Sequence, residues 1–375
     1  MKILIVSVDF PPHTDGVSTV SHELATRLAD AGEEVIVIGP TAKGAGEYDS
    51  RQKFRVVRTP LYDLSYLRFI PIFFLMPFII MRHRIKKVIA MNIAYGGIIS
   101  YLFSKWLGFS YILWAYGYEF AKFQDNSLMR KLYLKIYEKS EFVCAITNFV
   151  KERLESFGVN PEKIIIINPG TDPARYRPVQ VSEDFRRRYN LDGKRVILSV
   201  GRLIERKGFD MTIMAMRDVL KQFPEAVYLI VGNGPFRGRL ESLADEFGIN
   251  GSVRFVGRVA DEELLNLYNL CDLFIMPSRT LDNKGDIEGF GIVYLEANAC
   301  GKPVIGGRDG GMNEAIEDGK TGLLVNSSDT KEIANAIINL LSDRNYAQAL
   351  GENGRRRIIE ELNWDRAVKK FRQYI

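Results

Sequence analysis

The chain has 375 residues, 46% hydrophobic and 26% charged, the composition of a soluble globular protein long enough for two or three domains that each bury a core. Three cysteines with no C-x-x-C pair, and three histidines without metal-ligand spacing, argue against a disulfide framework and a structural zinc site, and fit a reduced, cytosolic protein. The net charge of +5 falls entirely in residues 1–175, which hold 22 Lys or Arg against 17 Asp or Glu while the rest holds 29 of each; an acidic surface or substrate is expected on that half, and no nucleic acid.

Lys2–Val8 reads as a strand with no charged-then-apolar leader before it, so no signal peptide is expected. The loop Asp9–Gly16 leads into a helix over Val17–Ala31, with Val20, Leu24 and Leu28 at helical period. Gly32 ends that helix, and Glu34–Ile38 is the next strand. This βαβ opening implies a parallel sheet with right-handed crossovers. In the loop PPHTDGVST, Gly16 would let backbone approach a ligand, and Ser18 or Thr19 is expected to cap the helix; the same residues also suit an ordinary strand-to-helix turn. A dinucleotide fingerprint would need G-x-G-x-x-G here and an acid ending the second strand. The chain offers Gly16 alone and ends that strand Ile38-Gly39-Pro40, which disfavours nicotinamide binding.

Val56–Arg58, Val88–Ala90, Tyr111–Trp114, Val143–Ile146 and Ile164–Ile167 are further strand candidates. Before Val88 lies an apolar run, Tyr66–Met81, flanked by Arg68 and by Arg82, His83, Arg84, Lys86 and Lys87. Its uncharged part, Phe69–Met81, is too short to span a bilayer, and Pro71 and Pro77 interrupt it. Such a basic, aromatic segment either lies in a membrane interface or forms a core helix with a solvated basic end. The first alternative makes Arg82, Arg84, Lys86 and Lys87 contacts to a membrane or an acceptor.

Asn168-Pro169-Gly170 to Pro178 is turn-rich and is taken as a linker, dividing 1–172 from 173–361. The alternation then restarts. Strands are expected at Arg195–Val200, Val227–Val231, Val253–Val256, Leu273–Pro277, Pro303–Gly306 and Gly322–Val325. Helices are expected at Phe209–Phe223, Phe236–Phe247, Asp261–Cys271, Lys331–Leu341, Tyr346–Glu361 and Trp364–Ile375. The fold class is therefore α/β, with two parallel-sheet halves facing across a cleft, where open α/β sheets bind ligands.

Arg202 follows the first strand of the second half, and Lys207 stands five residues on, at the mouth of the next helix. A guanidinium fork and an ammonium there can hold a diphosphate without a metal; the bland alternative is two surface charges. The loop Gly232-Asn233-Gly234-Pro235 brings backbone to the same place, and Val259 can present backbone to a flat base. The stretch from Gly285 to Gly307 is the densest in chemistry. Glu288 lies in a loop, Gly291 opens a helix, and Glu296 sits on its second turn. The free N–H groups of that helix start are a seat for phosphate. Glu296 could reach a sugar hydroxyl beside the phosphate, and Glu288 whatever is attached beyond it; two solvated acids on an amphipathic helix remain the alternative.

Arg202…Lys207, Gly232-Asn233-Gly234 and Glu288…Glu296, in this order, with PPHTDGVSTV near the start and TGLLV near the end, resemble the retaining nucleotide-sugar glycosyltransferases of the GT-B fold. The resemblance spans essentially the whole chain and is nearest to mannosyltransferases acting on phosphatidylinositol-type lipids. It implies two Rossmann-like domains, with the last helix near Trp364, in 362–375, packing back on the first. It implies that Arg202 and Lys207 hold the donor diphosphate and Glu296 the ribose. Glu288 would face the transferred sugar, with Phe290, Gly291, Ile292 and Val293 framing sugar and phosphate and Gly16 approaching from the other domain. Many relatives carry a histidine within the segment Trp114–Glu119, where this chain has Tyr116. A phenol with a reference pKa of about 10 is a poor base at neutral pH, so a sugar contact is the expectation there.

The expected reaction is transfer of a hexosyl group with retention and without a metal or other cofactor, from GDP-mannose in preference to a UDP-hexose, to a hydroxyl that a lipid can carry. Domain closure over the donor is expected, and a cytoplasmic location at or near the inner face of the membrane. Two other classes suit the same architecture, a sugar-nucleotide epimerase and a non-catalytic, membrane-peripheral binding protein. An epimerase would want more acid–base residues than three histidines supply, and a scaffold would not need both glutamates and both cations.

Overall fold

The computed structural model describes residues 1–375 except Thr14, 61–66, Arg68, Tyr118, 120–126 and 282–285. The chain divides into two compact units, Met1–Pro169 with Trp364–Ile375, and Gly170–Asn363.

Among the described residues the first unit holds a seven-stranded sheet: β1 Lys2–Val6, β2 Glu34–Pro40, β3 Arg55–Thr59, β4 Lys87–Ala90, β5 Ser110–Ala115, β6 Val143–Ala145 and β7 Ile164–Ile166. Their spatial order is β3-β2-β1-β4-β5-β6-β7, and every pairing is parallel. β1 lies in the interior of the sheet, with Ile3 opposite Val35 on one side and Lys87 on the other. Its residues Ile3 to Val6 are all buried, as a strand covered on both faces requires. The order reverses between β1 and β4, and ligands of open parallel sheets bind outside the carboxyl ends at such a point.

The helix after β1 spans Gly16–Asp30, and Asp15 caps it, its carboxylate accepting from the Ser18 N–H at 2.8 Å. The expected caps play another part: the Ser18 and Thr19 hydroxyls donate to the carbonyls of His13 and Asp15. An ionised Asp at this position also suits the positive end of the helix dipole. The apolar run before β4 is one helix, Phe69–His83, with both prolines inside it. Pro71 stands in the first turn, where an N–H has no intrahelical acceptor, so only Pro77 removes a helix hydrogen bond.

Helices the sequence reading left out lie at Ala45–Ser50, Ile98–Leu107, Ser127–Lys139, Asn148–Phe157 and Glu183–Arg188. The last helix, Trp364–Phe371, belongs to the first unit. Arg27 donates to Asp365 at 2.8 Å, and the Phe371 ring lies 5.4 Å from that of Trp114.

The second unit holds a six-stranded sheet among the described residues: β8 Arg195–Val200, β9 Ala226–Val231, β10 Val253–Gly257, β11 Leu273–Met276, β12 Val304–Gly307 and β13 Gly322–Val325. The order is β10-β9-β8-β11-β12-β13, again all parallel, and it reverses between β8 and β11. Helices Phe209–Gln222 and Thr330–Ser342 bury Ile213, Met216, Val219, Ile333, Ile337 and Leu341 against this sheet. All three cysteines are buried and free.

Candidate active site

Strand order in the second unit gathers residues that are far apart in sequence. The carboxyl ends of β10, β9, β8 and β11 lie side by side. They carry, in that order, Val259, the Gly232 loop, the Arg202–Lys207 turn and the Glu288–Glu296 segment. The last two flank the point where the strand order reverses.

The Gly232 loop is locked to the Arg202 turn by backbone. The Leu203 N–H donates to the Asn233 carbonyl at 3.1 Å, and the Phe236 N–H to the Leu203 carbonyl at 3.0 Å. Gly232 has φ +133°, and a Cβ there would stand 1.9 Å from the Gly201 carbonyl oxygen. Only glycine admits this approach. The Gly232 N–H in turn donates to the Gly257 carbonyl at 2.8 Å, which draws the turn before Val259 into the same edge.

Glu288 is the centre of charge. It is 7% exposed, and one carboxylate oxygen lies 2.6 Å from both Lys207 Nζ and Arg206 Nη1, with the Ser278 hydroxyl donating at 3.2 Å. Burial pushes its pKa up, but Lys207 and Arg206 more than offset that and bring it down to about 2. Lys207 is held below its ordinary range, because burial outweighs the attraction of an anion that it shares with Arg206. Arg206 also donates to Asp286 at 2.7 Å. The Glu288 carbonyl accepts from Gly311, which ties the loop to the segment after β12. Arg202 contrasts with its neighbours: its side chain is exposed and lies within reach of no acid among the described residues.

The helix after Glu288 spans Ile292–Ala299, with Gly291 as its cap at φ +89°. A Cβ on Gly291 would meet the Tyr294 ring at 2.4 Å. The Phe290 side chain is buried, and the half-buried Ile292 and Val293 form the first turn, whose N–H groups have no intrahelical acceptor. Glu296 accepts from the Tyr268 hydroxyl at 2.7 Å. Burial raises its pKa, against the lowering effect of Tyr268, Arg175 and Tyr176.

In the first unit, Gly16 and Tyr116 both follow carboxyl ends, those of β1 and β5. Gly16 is exposed, and a Cβ on it would meet nothing within 4 Å. Tyr116 is 6% exposed, and its N–H and that of Gly117 each donate at 2.7 Å to the two oxygens of Glu119. Burial pushes the Glu119 carboxyl up to about 7 in spite of these bonds. The basic cluster lies at the other edge, before the amino end of β4. Arg82, Arg84 and Lys86 are exposed, but Lys87 leaves the cluster: it is 9% exposed and pairs with Glu141 at 2.6 Å. As the first residue of β4 it enters the sheet, which turns its side chain from solvent. Gly285, Thr14, Ser65, Tyr66, Arg68 and Tyr118, which belong to stretches singled out above, lie outside the described residues.

Sequence reasoning missed Arg206, Ser278, Tyr268 and Tyr176. The Glu205–Lys207 3₁₀ turn brings both of its cations onto one carboxylate, and the doublet Arg206-Lys207 was the available signal. Ser278 and the two tyrosines carried none, since they arrive from other elements.

Residues 181–357 match the family described as "Glycosyl transferases group 1", and residues 14–175 match "Glycosyltransferase Family 4". A GDP-mannose-dependent alpha-(1-6)-phosphatidylinositol monomannoside mannosyltransferase of Mycobacterium tuberculosis is 30% identical, over all of this chain and 98% of that protein. The Mycolicibacterium smegmatis protein of the same description is 31% identical over 96% and 95%. Among solved structures, Anabaena HepE in complex with UDP and glucose superposes with a TM-score of 0.83 at 19% identity, covering 100% of this chain and 98% of that one. Sucrose-phosphate synthase from Thermosynechococcus elongatus gives 0.82 at 24% identity, over 99% and 97%.

Proposed function

We propose, for a chain that belongs to the group 1 glycosyltransferase family, that it moves a mannosyl group from GDP-mannose to a hydroxyl of a lipid-borne acceptor, with retention of configuration and without a metal. The observation that carries the donor site is the meeting of Arg202, Lys207, Glu288 and the Ile292–Ala299 helix start at the carboxyl ends of adjacent strands. The mycobacterial relatives are named for GDP-mannose and a phosphatidylinositol mannoside, which favours that donor and that class of acceptor. The UDP-bound structures are less than 25% identical and bear on the fold alone.

The bond that breaks joins the anomeric carbon to a phosphate oxygen, so negative charge grows on the departing diphosphate. Arg202, with no acid in reach among the described residues, takes the outer phosphate oxygens, and the N–H groups of Ile292 and Val293 face the inner ones. Lys207 has two further N–H donors beyond the one it gives Glu288. These groups stabilise the leaving group as its charge develops, the place where fixed donors contribute most. Glu296 receives the ribose hydroxyls in concert with Tyr268. Glu288 stays ionised, but its charge is spread over two cations and a hydroxyl, which suits it to orient sugar hydroxyls and not to attack carbon. Retention then requires the acceptor oxygen to enter on the face the phosphate leaves, with the phosphate taking its proton. Tyr116 and Gly16 follow carboxyl ends of the first unit's own sheet, the edge where an open parallel sheet receives a ligand such as the acceptor. Work on a lipid acceptor places the protein at a membrane surface, on the cytoplasmic side where nucleotide sugars are available.

Calorimetry in chelator tests this. GDP is expected to bind, and Arg202→Ala to weaken it roughly tenfold or more, the scale of one charge-assisted contact. A preference for UDP would move the donor to a UDP-hexose. No metal-free binding of either nucleotide would remove the diphosphate site, and a product with inverted anomeric configuration would remove the retaining mechanism.

A further inference from the structure

We propose that Arg279 is a positioning residue of the donor site: it braces the Glu205–Lys207 turn from the neighbouring strand end, and so holds Arg206 and Lys207 where they meet Glu288 and the departing diphosphate. This role rests on the donor reading given above, since it is the donor's diphosphate that the turn faces.

The turn does not hold itself. It is three residues of 3₁₀ helix, closed by the Lys207 N–H on the Ile204 carbonyl at 3.1 Å and the Gly208 N–H on the Glu205 carbonyl at 3.2 Å. Such turns are short and their hydrogen bonds poorly aligned. This one carries two like charges side by side, Arg206 and Lys207, both half-buried and both brought onto one carboxylate. Adjacent cations repel, and nothing within so short a turn opposes that. The support comes from outside, from the end of β11.

Beyond Met276 the chain continues as Pro277-Ser278-Arg279, and Arg279 reaches the turn and the helix after it at three points. Its N–H donates to the Arg206 carbonyl at 2.8 Å. Its guanidinium forks onto Asp210, in the first turn of the helix Phe209–Gln222, with Nη1 and Nη2 donating to the two carboxylate oxygens at 3.1 and 2.8 Å. The Glu205 carboxylate lies 4.0 Å from Nη2. The two cations of the turn are thus bracketed in sequence by two acids that share one guanidinium. The Arg279 and Asp210 side chains are 13% and 16% exposed, so the pair is shielded from the water that weakens surface ion pairs. A planar fork also fixes direction, which a lysine in its place would not. Gly208, between the two anchors, leaves no slack: a Cβ on it would stand 2.1 Å from the Pro277 carbonyl oxygen. The residue before Arg279 completes the register. Ser278 donates to Glu288, so one strand end sets both the acid and the turn whose cations meet it. Among the described residues the acids that Arg279 meets are Asp210 and Glu205 and not Glu288, so its effect on the donor passes through the turn.

Hydrogen exchange of the free protein, with calorimetry of GDP binding, tests this in Arg279→Ala, which keeps the N–H on Arg206 and removes the fork. The Lys207 and Gly208 amides are expected to exchange roughly tenfold faster, the scale of one charge-assisted pair, while those of Val196–Val200 in β8 keep the wild-type rate. GDP affinity should fall roughly tenfold as well. Asp210→Asn should do the same and the double variant little more, since both remove one contact. Arg279→Lys, which keeps the charge without the fork, should fall between. Wild-type exchange in the turn, or a loosened turn with wild-type GDP affinity, overturns the brace. Faster exchange throughout β8–β13 also overturns it, because the pair then stabilises the unit and aims nothing. A turn that Arg279→Ala loosens, in a protein whose wild type binds no nucleotide, leaves the brace standing and removes the donor site instead.

Discussion

Glu288 is one anion shared by Lys207, Arg206 and Ser278, and that sharing sets its charge state and its task. Glu288→Gln is expected to lower turnover roughly 10²-fold, the scale of losing one positioned group in a transition state, and near-normal turnover would refute its role. The same residue gives a pH signature. Its folded pKa, about 2, lies below the ordinary 4.5, so its contribution to stability is present above pH 4.5 and is lost as pH falls towards 2. Wild type should therefore lose about 3 kcal/mol relative to Glu288→Gln across that window, as urea unfolding at stepped pH would measure. An equal slope in both proteins would mean that the carboxylate is not held by the two cations. Glu288, Lys207 and Arg202 were legible as residue types at a spacing. Arg206 was not, because its part depends on a 3₁₀ turn that aims it at an acid eighty-two positions away.

At the scale of elements, the site is a set of strand ends. Gly232 shows how tightly they are joined: with φ +133° and 1.9 Å from a hypothetical Cβ to the Gly201 oxygen, Gly232→Ala must push the β8 and β9 loops apart. We expect a loss of about 1–3 kcal/mol in stability, the cost of a strained backbone, together with weakened GDP binding. Wild-type affinity in that variant would show that the glycine loop does not help to shape the site. The helix Phe69–His83 makes a different point. Its composition was legible as apolar and basic, but whether its face was buried or bare depended on how many neighbours the sheet supplied. The helix Ile98–Leu107 and the turn Ile93–Gly97 pack on one side only, and Ile70, Phe74, Phe78 and Met81 are left outside.

For the whole molecule, the four residues proposed to hold the donor, Arg202, Lys207, Glu288 and Glu296, all lie in the unit Gly170–Asn363. A nucleotide bound there stabilises that unit by mass action, by about 2.7 kcal/mol at a hundred times its dissociation constant. Hydrogen exchange with saturating GDP should therefore protect the amides of Gly201–Lys207 and Gly291–Glu296. Protection confined to β1–β7, with none in those two segments, would place the nucleotide in the other unit and overturn the assignment. The expected epimerase and scaffold alternatives lose their ground at this scale, because family membership holds over the full length of the mycobacterial relatives.

The sequence by itself determined two alternating α/β halves, since short apolar strands and helices of period 3.6 alternate from Lys2 onward, and such alternation folds in one hand. It also determined the family, through residues that recur in fixed order, and the chemical kinds present at the site. Tertiary structure alone decided which of those residues meet. Strand order is a global property, and it set β11 beside β8, so that Glu288 reached Lys207 and Arg206 while Arg202 stayed exposed. Burial is global too. It took Lys87 out of a basic cluster that looked continuous in the chain and gave it to Glu141, while it left the apolar side chain of Trp106 in solvent. Local sequence encodes an element and the two faces it has; what covers each face depends on the elements that the sheet brings to it.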